Sequence, residues 1–137
     1  RLIALTAKAR DQGLFEKKHC NWIEKLCQRL DELIPACRPS LIHGDLWSGN
    51  LLIDTSGHPV LIDPAVYYGH PEMDWAMLSL FGSYPVEALD HYQNLHPLEK
   101  GLNERKDIHQ LYPLMVHLIL FGKGYLNGVE STLKKYA

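Results

Sequence analysis

The chain has 137 residues, of which 46% are hydrophobic and 22% charged, and its formal net charge is −2 at pH 7. This balance excludes a disordered chain and is typical of one globular domain, and a nearly neutral chain gives no reason to expect a nucleic acid partner. No apolar stretch is long enough to predict a membrane span. Three cysteines without paired C-x-x-C spacing favour a reducing, cytoplasmic location over a disulfide framework or a zinc site.

Two helices are predicted in the first part of the chain. Residues 2–15 have helical spacing with a break near residues 11–13, and apolar residues recur every three or four positions over residues 19–34. Pro35 should end the second helix. Because the chain begins at Arg1 inside a predicted helix, with no initiator methionine, we expect a fragment of a longer protein.

A loop and a β-hairpin are predicted next. Residues 41–42 read as a short buried strand that enters the loop 43–50, of sequence HGDLWSGN. Apolar runs at residues 51–53 and 60–62 flank a turn-rich segment and predict two paired strands. Such a hairpin would bring Asn50 close to Asp63.

The remaining chain is predicted to be mainly helical. Residues 64–71 read as irregular, and the charge run at residues 104–107 reads as a solvated first helical turn. Helical spacing covers residues 73–81, 85–92, 104–121 and 125–136. The predicted fold class is therefore α+β, mainly α, in which one helical lobe carries a short β-hairpin.

Asp45, Asn50 and Asp63 stand at the spacing used in kinases. There, a catalytic-loop Asp accepts the proton of the substrate hydroxyl, an Asn five positions later binds Mg²⁺, and an Asp after the next strands binds the metal of the nucleotide. Carboxylate and amide oxygens are the ligands that Mg²⁺ prefers. Taken singly, each residue could instead be an ordinary turn residue. Their combination with the predicted strands favours the kinase interpretation.

The nucleotide-clamping half of a kinase site has no counterpart in this sequence. Only 42 residues precede His43, and they contain neither a Gly-rich loop nor a pattern of strands. We therefore expect residues 1–137 to form a single C-terminal catalytic lobe, without the N-terminal lobe that supplies a Lys to Glu ion pair.

Three sequence blocks carry a family resemblance. They are HGDLWSGN at residues 43–50, DPAVYYGHPE at residues 63–72, and the pattern of Gly69, Asp74 and Ala76. They resemble the aminoglycoside phosphotransferase and choline kinase superfamily, which has a protein-kinase-like fold, and within it the fructosamine kinase (ketosamine 3-kinase) family. In that family Asp-Pro-Ala replaces the Asp-Phe-Gly of protein kinases.

The resemblance implies that ATP phosphorylates a sugar hydroxyl of a ketosamine, a reaction of protein deglycation. It implies that Asp45 is the catalytic base, that Asn50 and Asp63 bind Mg²⁺ and the nucleotide, and that Asp74 braces the catalytic loop. Without the missing Lys and Glu, we expect this fragment alone to be inactive.

Each of four further residues could have one of two roles. His43 is expected to be a hydrogen-bonded strut of the loop rather than a proton shuttle. Trp47 could stack on the acceptor or anchor the loop in the core. His70 and Glu72 could line the acceptor pocket or belong to a solvated loop and helix start.

Two other functions remain open from the sequence. One is a kinase for aminoglycosides, choline or another hydroxylated amine, against which Trp47 and the Asp-Pro-Ala segment at residues 63–65 argue. The other is a non-catalytic binding module derived from this lobe, against which the presence of all three polar site residues argues.

Overall fold

The computed structural model describes residues 1–136, which are mainly helical with four short strands. The helices are α1 (Leu2–Asp11), α2 (Lys17–Leu33), α3 (Glu72–Leu78), α4 (Val86–Leu95), α5 (Leu102–Phe121) and α6 (Leu126–Tyr136). The strands are β1 (Ser40–Ile42), β2 (Leu51–Ile53), β3 (Pro59–Leu61) and β4 (Tyr67–Gly69), and 3-10 turns cover Ser48–Asn50 and Lys123–Tyr125. The fold is thus α+β and mainly α, as predicted.

The chain divides into two compact units. One contains Arg1–Ala36 together with the chain from Gln110 onward, and the other is Cys37–His109. Helix α5 contributes residues to both units, because the division falls between His109 and Gln110. All of the predicted site residues belong to the second unit. The assignment of the whole chain to one catalytic lobe stays a prediction.

The first unit is built from amphipathic helices. Its fully buried side chains include Ile23 and Leu26 on α2 and Val129 and Leu133 on α6. Their spacing of three and four residues places each pair on one helical face, which is why the sequence pattern identified these helices. Helix α2 ends at Leu33, shortly before Pro35, as predicted.

A buried histidine links the first turn of α2 to the middle of α6. His19 is 1% exposed, and its Nδ1 accepts a hydrogen bond from the Glu16 backbone N–H at 2.8 Å, as in a capping box at the start of α2. Its Nε2 lies 2.7 Å from Glu130 Oε1. Hydrogen bonds from Lys134 and His19 lower the pKa of Glu130 to about 2. The same histidine therefore caps one helix and pairs with the other.

The second unit contains two small antiparallel sheets. Strands β2 and β3 form the predicted hairpin, with Leu51 opposite Leu61. Strand β1 pairs with β4, with Leu41 opposite Tyr68 and Ile42 opposite Tyr67. The prediction that residues 64–71 are irregular is therefore wrong for residues 67–69. The three residues of β4 form a strand because they pair with β1, and that partner is distant in sequence.

Burial in these strands differs from the prediction at one position. Ile42 is 4% exposed, but its neighbour Leu41 is 63% exposed, so β1 buries one face only. All residues of β2 and β3 are exposed, although most of them are apolar. Within the described chain, no helix combines the length and the apolar character that crossing a membrane requires.

Candidate active site

Asp74 holds the backbone at the start of the loop 43–50. Its Oδ2 accepts a hydrogen bond from the His43 N–H at 2.7 Å, and its Oδ1 accepts one from the Gly44 N–H at 2.9 Å. Asp74 lies in the first turn of α3, two residues after the helix begins. The two oxygens of one carboxylate therefore bind two consecutive backbone amides. Hydrogen bonds to an ionised carboxylate are charge-assisted and strong.

The His43 side chain ties the loop to the end of β3. The ring is buried, with 9% of the residue exposed, and its Nε2 lies 3.0 Å from the carbonyl oxygen of Ile62. Its Nδ1 accepts the backbone N–H of Asp45 at 3.4 Å. Because an amide N–H can only donate and a carbonyl can only accept, these two contacts fit the tautomer with a proton on Nε2. The His43 side chain therefore connects the backbone of Asp45 to the backbone of Ile62.

The Asn50 side chain donates two hydrogen bonds to Asp45. Its Nδ2 donates to the backbone oxygen of Asp45 at 2.9 Å and to the carboxylate Oδ2 of Asp45 at 3.3 Å. Asn50 is buried, with 7% exposure, and it ends the 3-10 turn that leads into β2. Since a carbonyl oxygen only accepts, the amide nitrogen must face Asp45, and the amide oxygen points to the other side of the carboxamide.

The segment that carries Asp63 is tied to both ends of the loop. The Ile62 N–H donates to the Asn50 carbonyl at 3.0 Å, and the Ala65 N–H donates to the His43 carbonyl at 2.9 Å. Asp63 lies between these two anchors with φ of 49°, and it is the one non-glycine residue of the described chain with positive φ. Such a backbone is uncommon for a non-glycine residue, and conformations of this kind cluster at functional sites.

Gly44 allows the loop to approach the segment after β3. Its φ is +80°, and a Cβ added at this position would lie 2.2 Å from the Ala65 carbonyl oxygen. Any side chain here would clash with backbone rather than with a movable group. The loop geometry beside Asp45 thus depends on glycine for both its conformation and its space.

Trp47 lies on the surface of the loop. It is 38% exposed, and its ring covers Gly49 so closely that an added Cβ would lie 2.2 Å from the ring atom Cη2. The ring therefore packs on its own loop and not in the buried core. A role in binding the acceptor stays a prediction.

Glu72 belongs to a buried cluster of charged and titratable side chains. Its side chain is 0% exposed, so the alternative of a solvated helix start does not hold for it. Arg105 of α5 donates to both carboxylate oxygens, from Nε at 3.0 Å and from Nη2. His109 Nε2 lies 3.1 Å from Oε2. An acceptor could contact this carboxylate only if these ion pairs opened.

His70 adjoins the same cluster. Its ring centroid lies 4.8 Å from that of His109, and its Nδ1 accepts the Glu72 backbone N–H at 3.3 Å. The ligand atoms of His70, Glu72 and His109 lie within 4.8 Å of one another, as in a metal site. Two imidazoles and one carboxylate suit zinc rather than Mg²⁺. This group is distinct from Asn50 and Asp63.

Burial and ion pairing shift the pKa values of the residues in this cluster. Burial opposes ionisation of Glu72, but the hydrogen bond and charge of Arg105 outweigh it and lower the pKa of the carboxyl. Burial and the neighbouring His70 lower the pKa of His109 from 6.5 to about 4, against the attraction of Glu72. The resident pair is therefore an ionised Glu72 and a cationic Arg105, beside a neutral His109.

The sequence did not indicate the participation of Arg105 and His109. The prediction of a solvated turn at residues 104–107 is wrong for Arg105, whose side chain is 12% exposed. Arg105 and His109 are four residues apart on α5 and share one helical face, which was the available signal. Their partner Glu72 lies 33 and 37 residues away, and no local pattern links the three.

In the second unit, backbone hydrogen bonds place the segment that carries Asp63 beside the loop that carries Asp45 and Asn50, the three residues whose spacing predicts phosphotransfer. The sequence model of the fructosamine kinase family matches residues 1–137. The chain therefore belongs to the fructosamine kinase family.

Several curated relatives have names from the same chemistry. The chain is 52% identical over 98 residues to a protein of Enterococcus faecium named "probable ketoamine kinase", an alignment that covers 72% of this chain and 35% of that protein. A protein of Lactiplantibacillus plantarum with the same name is 42% identical, with 99% and 49% covered. A rice protein named protein-ribulosamine 3-kinase is 34% identical, with 96% and 37% covered.

Solved structures have the same fold. A crystal structure of a candidate fructosamine-3-kinase from Thermobifida fusca superposes with a TM-score of 0.88 at 38% identity, covering 96% of this chain and 46% of that one. One from Haemophilus somnus gives 0.80 at 28% identity, covering 99% and 46%. The present chain thus spans about half the length of these proteins, or less.

Proposed function

We propose that this chain carries the catalytic part of an ATP-dependent kinase that phosphorylates a sugar hydroxyl of ketosamines such as fructosamines or ribulosamines. The observation that carries the proposal is the double hydrogen bond from Asn50 to Asp45, in a loop whose two ends are tied to the segment holding Asp63. Membership of the fructosamine kinase family supports the choice of acceptor.

Asp45 is proposed as the catalytic base. Its carboxylate is half-buried, and Asn50 holds one of its oxygens, so the group has a fixed direction before substrate binds. A carboxylate fixed in this way can orient the acceptor hydroxyl and take its proton as the bond to phosphorus forms. Asp74 and His43 are proposed as supports, because their hydrogen bonds fix the backbone on which Asp45 stands.

Asn50 and Asp63 are proposed to hold Mg²⁺ and the phosphates of ATP. Their donor set fits this ion, since both offer hard oxygen atoms. The Asn50 amide nitrogen is engaged with Asp45, which leaves the amide oxygen as its ligand atom. Asp63 is exposed, so its carboxylate can reach an ion bound to the phosphates. Bound there, Mg²⁺ would neutralise charge on the transferring phosphoryl group.

The nucleotide-clamping lobe is proposed to come from sequence outside this chain. The chain spans 35 to 49% of the relatives above and 46% of the two solved structures. A kinase site also requires a loop over the phosphates and a Lys to Glu pair, which were not found in the sequence. We therefore propose that activity belongs to the full-length protein and that these 137 residues alone do not turn over.

The test is an ATP-consumption assay of the natural full-length protein with a panel of acceptors. Fructosamine and ribulosamine derivatives of lysine should be phosphorylated, whereas choline and an aminoglycoside should not. Asp45→Asn should abolish turnover. Asp90→Asn, at an exposed position of α4, is the matched control and should retain it. Equal turnover by Asp45→Asn and wild type would refute the assigned base, and preference for choline would refute the acceptor class.

A cytoplasmic location remains part of the proposal. Its support is the chemistry of the cysteines, since Cys20, Cys27 and Cys37 are all unpaired thiols in the described chain. Subcellular fractionation with an antibody to the full-length protein would test this location. Recovery mainly from a membrane or secreted fraction would contradict it.

A further inference from the structure

We propose that the buried cluster of Glu72, Arg105 and His109 is a positioning device for the loop that carries Asp45. The cluster fixes the first turn of α3 against α5, and Asp74 in that turn fixes the loop. This inference rests on the proposed function as far as catalysis is concerned. Its structural part concerns only the second unit and can be tested without turnover.

The cluster holds the start of α3 with several directional contacts. Arg105 donates to both oxygens of Glu72, and it also donates to the backbone oxygens of Lys100 at 2.7 Å and Glu99 at 2.9 Å. His109 contacts Glu72 Oε2 at 3.1 Å, and its Nδ1 lies 3.3 Å from the sulfur of Met73. The planar guanidinium thereby joins α3, α5 and the segment before α5 through hydrogen bonds.

A first connection to the loop runs through Asp74. Glu72 and Asp74 are two residues apart in one helical turn, so their side chains leave the helix in nearly opposite directions. Glu72 is held by α5, and Asp74 accepts the amides of His43 and Gly44 at 2.7 and 2.9 Å. A shift of the first turn relative to α5 would therefore move both acceptor oxygens away from the loop.

A second connection runs through the β1 and β4 pair. His70 directly follows β4, contacts His109 through its ring, and accepts the Glu72 amide. β4 is paired with β1, with Ile42 opposite Tyr67, and Ile42 directly precedes His43. The cluster therefore contacts both structures that border the loop: the helix that binds its amides and the strand pair from which it emerges.

Arg105, rather than a metal ion, is assigned as the cation of this cluster. Both carboxylate oxygens of Glu72 already receive guanidinium hydrogens, and His109 contacts one of them through Nε2. A divalent ion bound by Glu72 and His109 would have to displace the His109 hydrogen bond while lying beside a buried positive charge. That repulsion is large in a low-dielectric interior.

The test compares variants of the natural full-length protein by amide hydrogen exchange and by steady-state kinetics. Glu72→Gln removes the charge and retains the shape, and Arg105→Lys retains the charge and loses the two-pronged contact. Glu130→Gln is the matched control, because Glu130 also pairs with a histidine and a cationic side chain but lies in the first unit.

We expect Glu72→Gln to speed amide exchange at His43 and Gly44 at least tenfold and to lower kcat at least tenfold, with KM for ATP and for the ketosamine changed less than twofold. Arg105→Lys should show the same pattern to a smaller extent. Glu130→Gln should leave exchange at these two amides unchanged. If Glu72→Gln does not fold, as judged by circular dichroism, Arg105→Lys decides the question.

Unchanged exchange at His43 and Gly44 in a folded cluster variant would overturn the inference, whatever the activity. A rise in KM with kcat intact would also overturn its catalytic part. Faster exchange in a protein whose wild type has no kinase activity would support the positioning role and refute the proposed function. If zinc slowed amide exchange in the wild type but not in His109→Asn, the assignment of Arg105 as the cation would be overturned.

Discussion

Asn50 donates from a single nitrogen to both the backbone oxygen and the carboxylate of Asp45, at 2.9 and 3.3 Å. The residue proposed to bind the metal thus also orients the proposed base. The two functions cannot be separated by substituting Asn50, and a variant at this position should lose both together.

Asn50→Ala should lower turnover by about a hundredfold or more in the full-length protein, the order of loss found when a fixed polar group of an active site is removed. Because two hydrogen bonds of a buried side chain are lost, the free energy of unfolding should also fall by about 1 to 2 kcal/mol. ATP consumption and urea unfolding measure the two effects. Asn94→Ala, at an exposed position of α4, should change neither, and normal turnover by Asn50→Ala would contradict the assignment.

Gly44→Ala and Gly57→Ala form a matched pair for the loop. Both glycines have positive φ, +80° and +84°, but an added Cβ meets the Ala65 oxygen at 2.2 Å in the first case and nothing within 4 Å in the second. The left-handed backbone alone costs roughly 1 to 2 kcal/mol with a side chain. Gly57→Ala should lose about that amount, and Gly44→Ala should lose clearly more because backbone must move. Equal losses in urea unfolding would contradict the close approach.

Trp47→Ala should separate acceptor binding from loop anchoring. The ring is partly exposed and packs on Gly49, so its removal should change the free energy of unfolding only slightly. If it stacks on the acceptor, KM for the ketosamine should rise several-fold while KM for ATP stays constant. Gly49→Ala, which must push the ring aside, should act in the same direction. Constant KM values in both variants would show that the ring has no acceptor role.

His109 should make stability fall as the solution becomes acidic. The unfolded chain binds a proton at this histidine near its ordinary pKa of 6.5, whereas the folded chain does so only near pH 4. Lowering the pH from about 6.5 to 4 therefore favours unfolding, and the stability associated with the neutral ring is present above this window.

His109→Asn should remove that part of the pH dependence. Urea unfolding between pH 7 and pH 4 would measure it as the difference in free energy between wild type and variant, which should shrink as the pH falls. His58→Asn is the control, because the side chain of His58 is 77% exposed. A difference for His109→Asn that is constant with pH would contradict the lowered pKa.

Most helices could be predicted from the sequence because their cores obey a local period. Ile23 and Leu26 are three residues apart and both fully buried, and the hairpin of β2 and β3 has its turn within the same segment. Strand β4 could not be predicted. It is three residues long, lies between two prolines, and exists through pairing with residues 40–42, which are more than 20 positions away.

The polar groups of the loop could be named in advance because their spacing along the chain is itself characteristic. The contacts of Asp74 with the loop were expected from family resemblance alone, since they join residues 30 and 31 positions apart. The ion pair of Glu72 with Arg105 had no local signal at all. A charged residue in a predicted first turn is usually solvated, and only the tertiary structure shows that α5 buries this one.

The backbone conformation of Asp63 determines which substitution tests its proposed role. Its φ of 49° is a conformation that Gly, Asn and Asp adopt more readily than other residues. Asp63→Asn should therefore fold as well as the natural protein, so that loss of ATP consumption in this variant would support the proposed role of the Asp63 carboxylate, and unchanged consumption would contradict it.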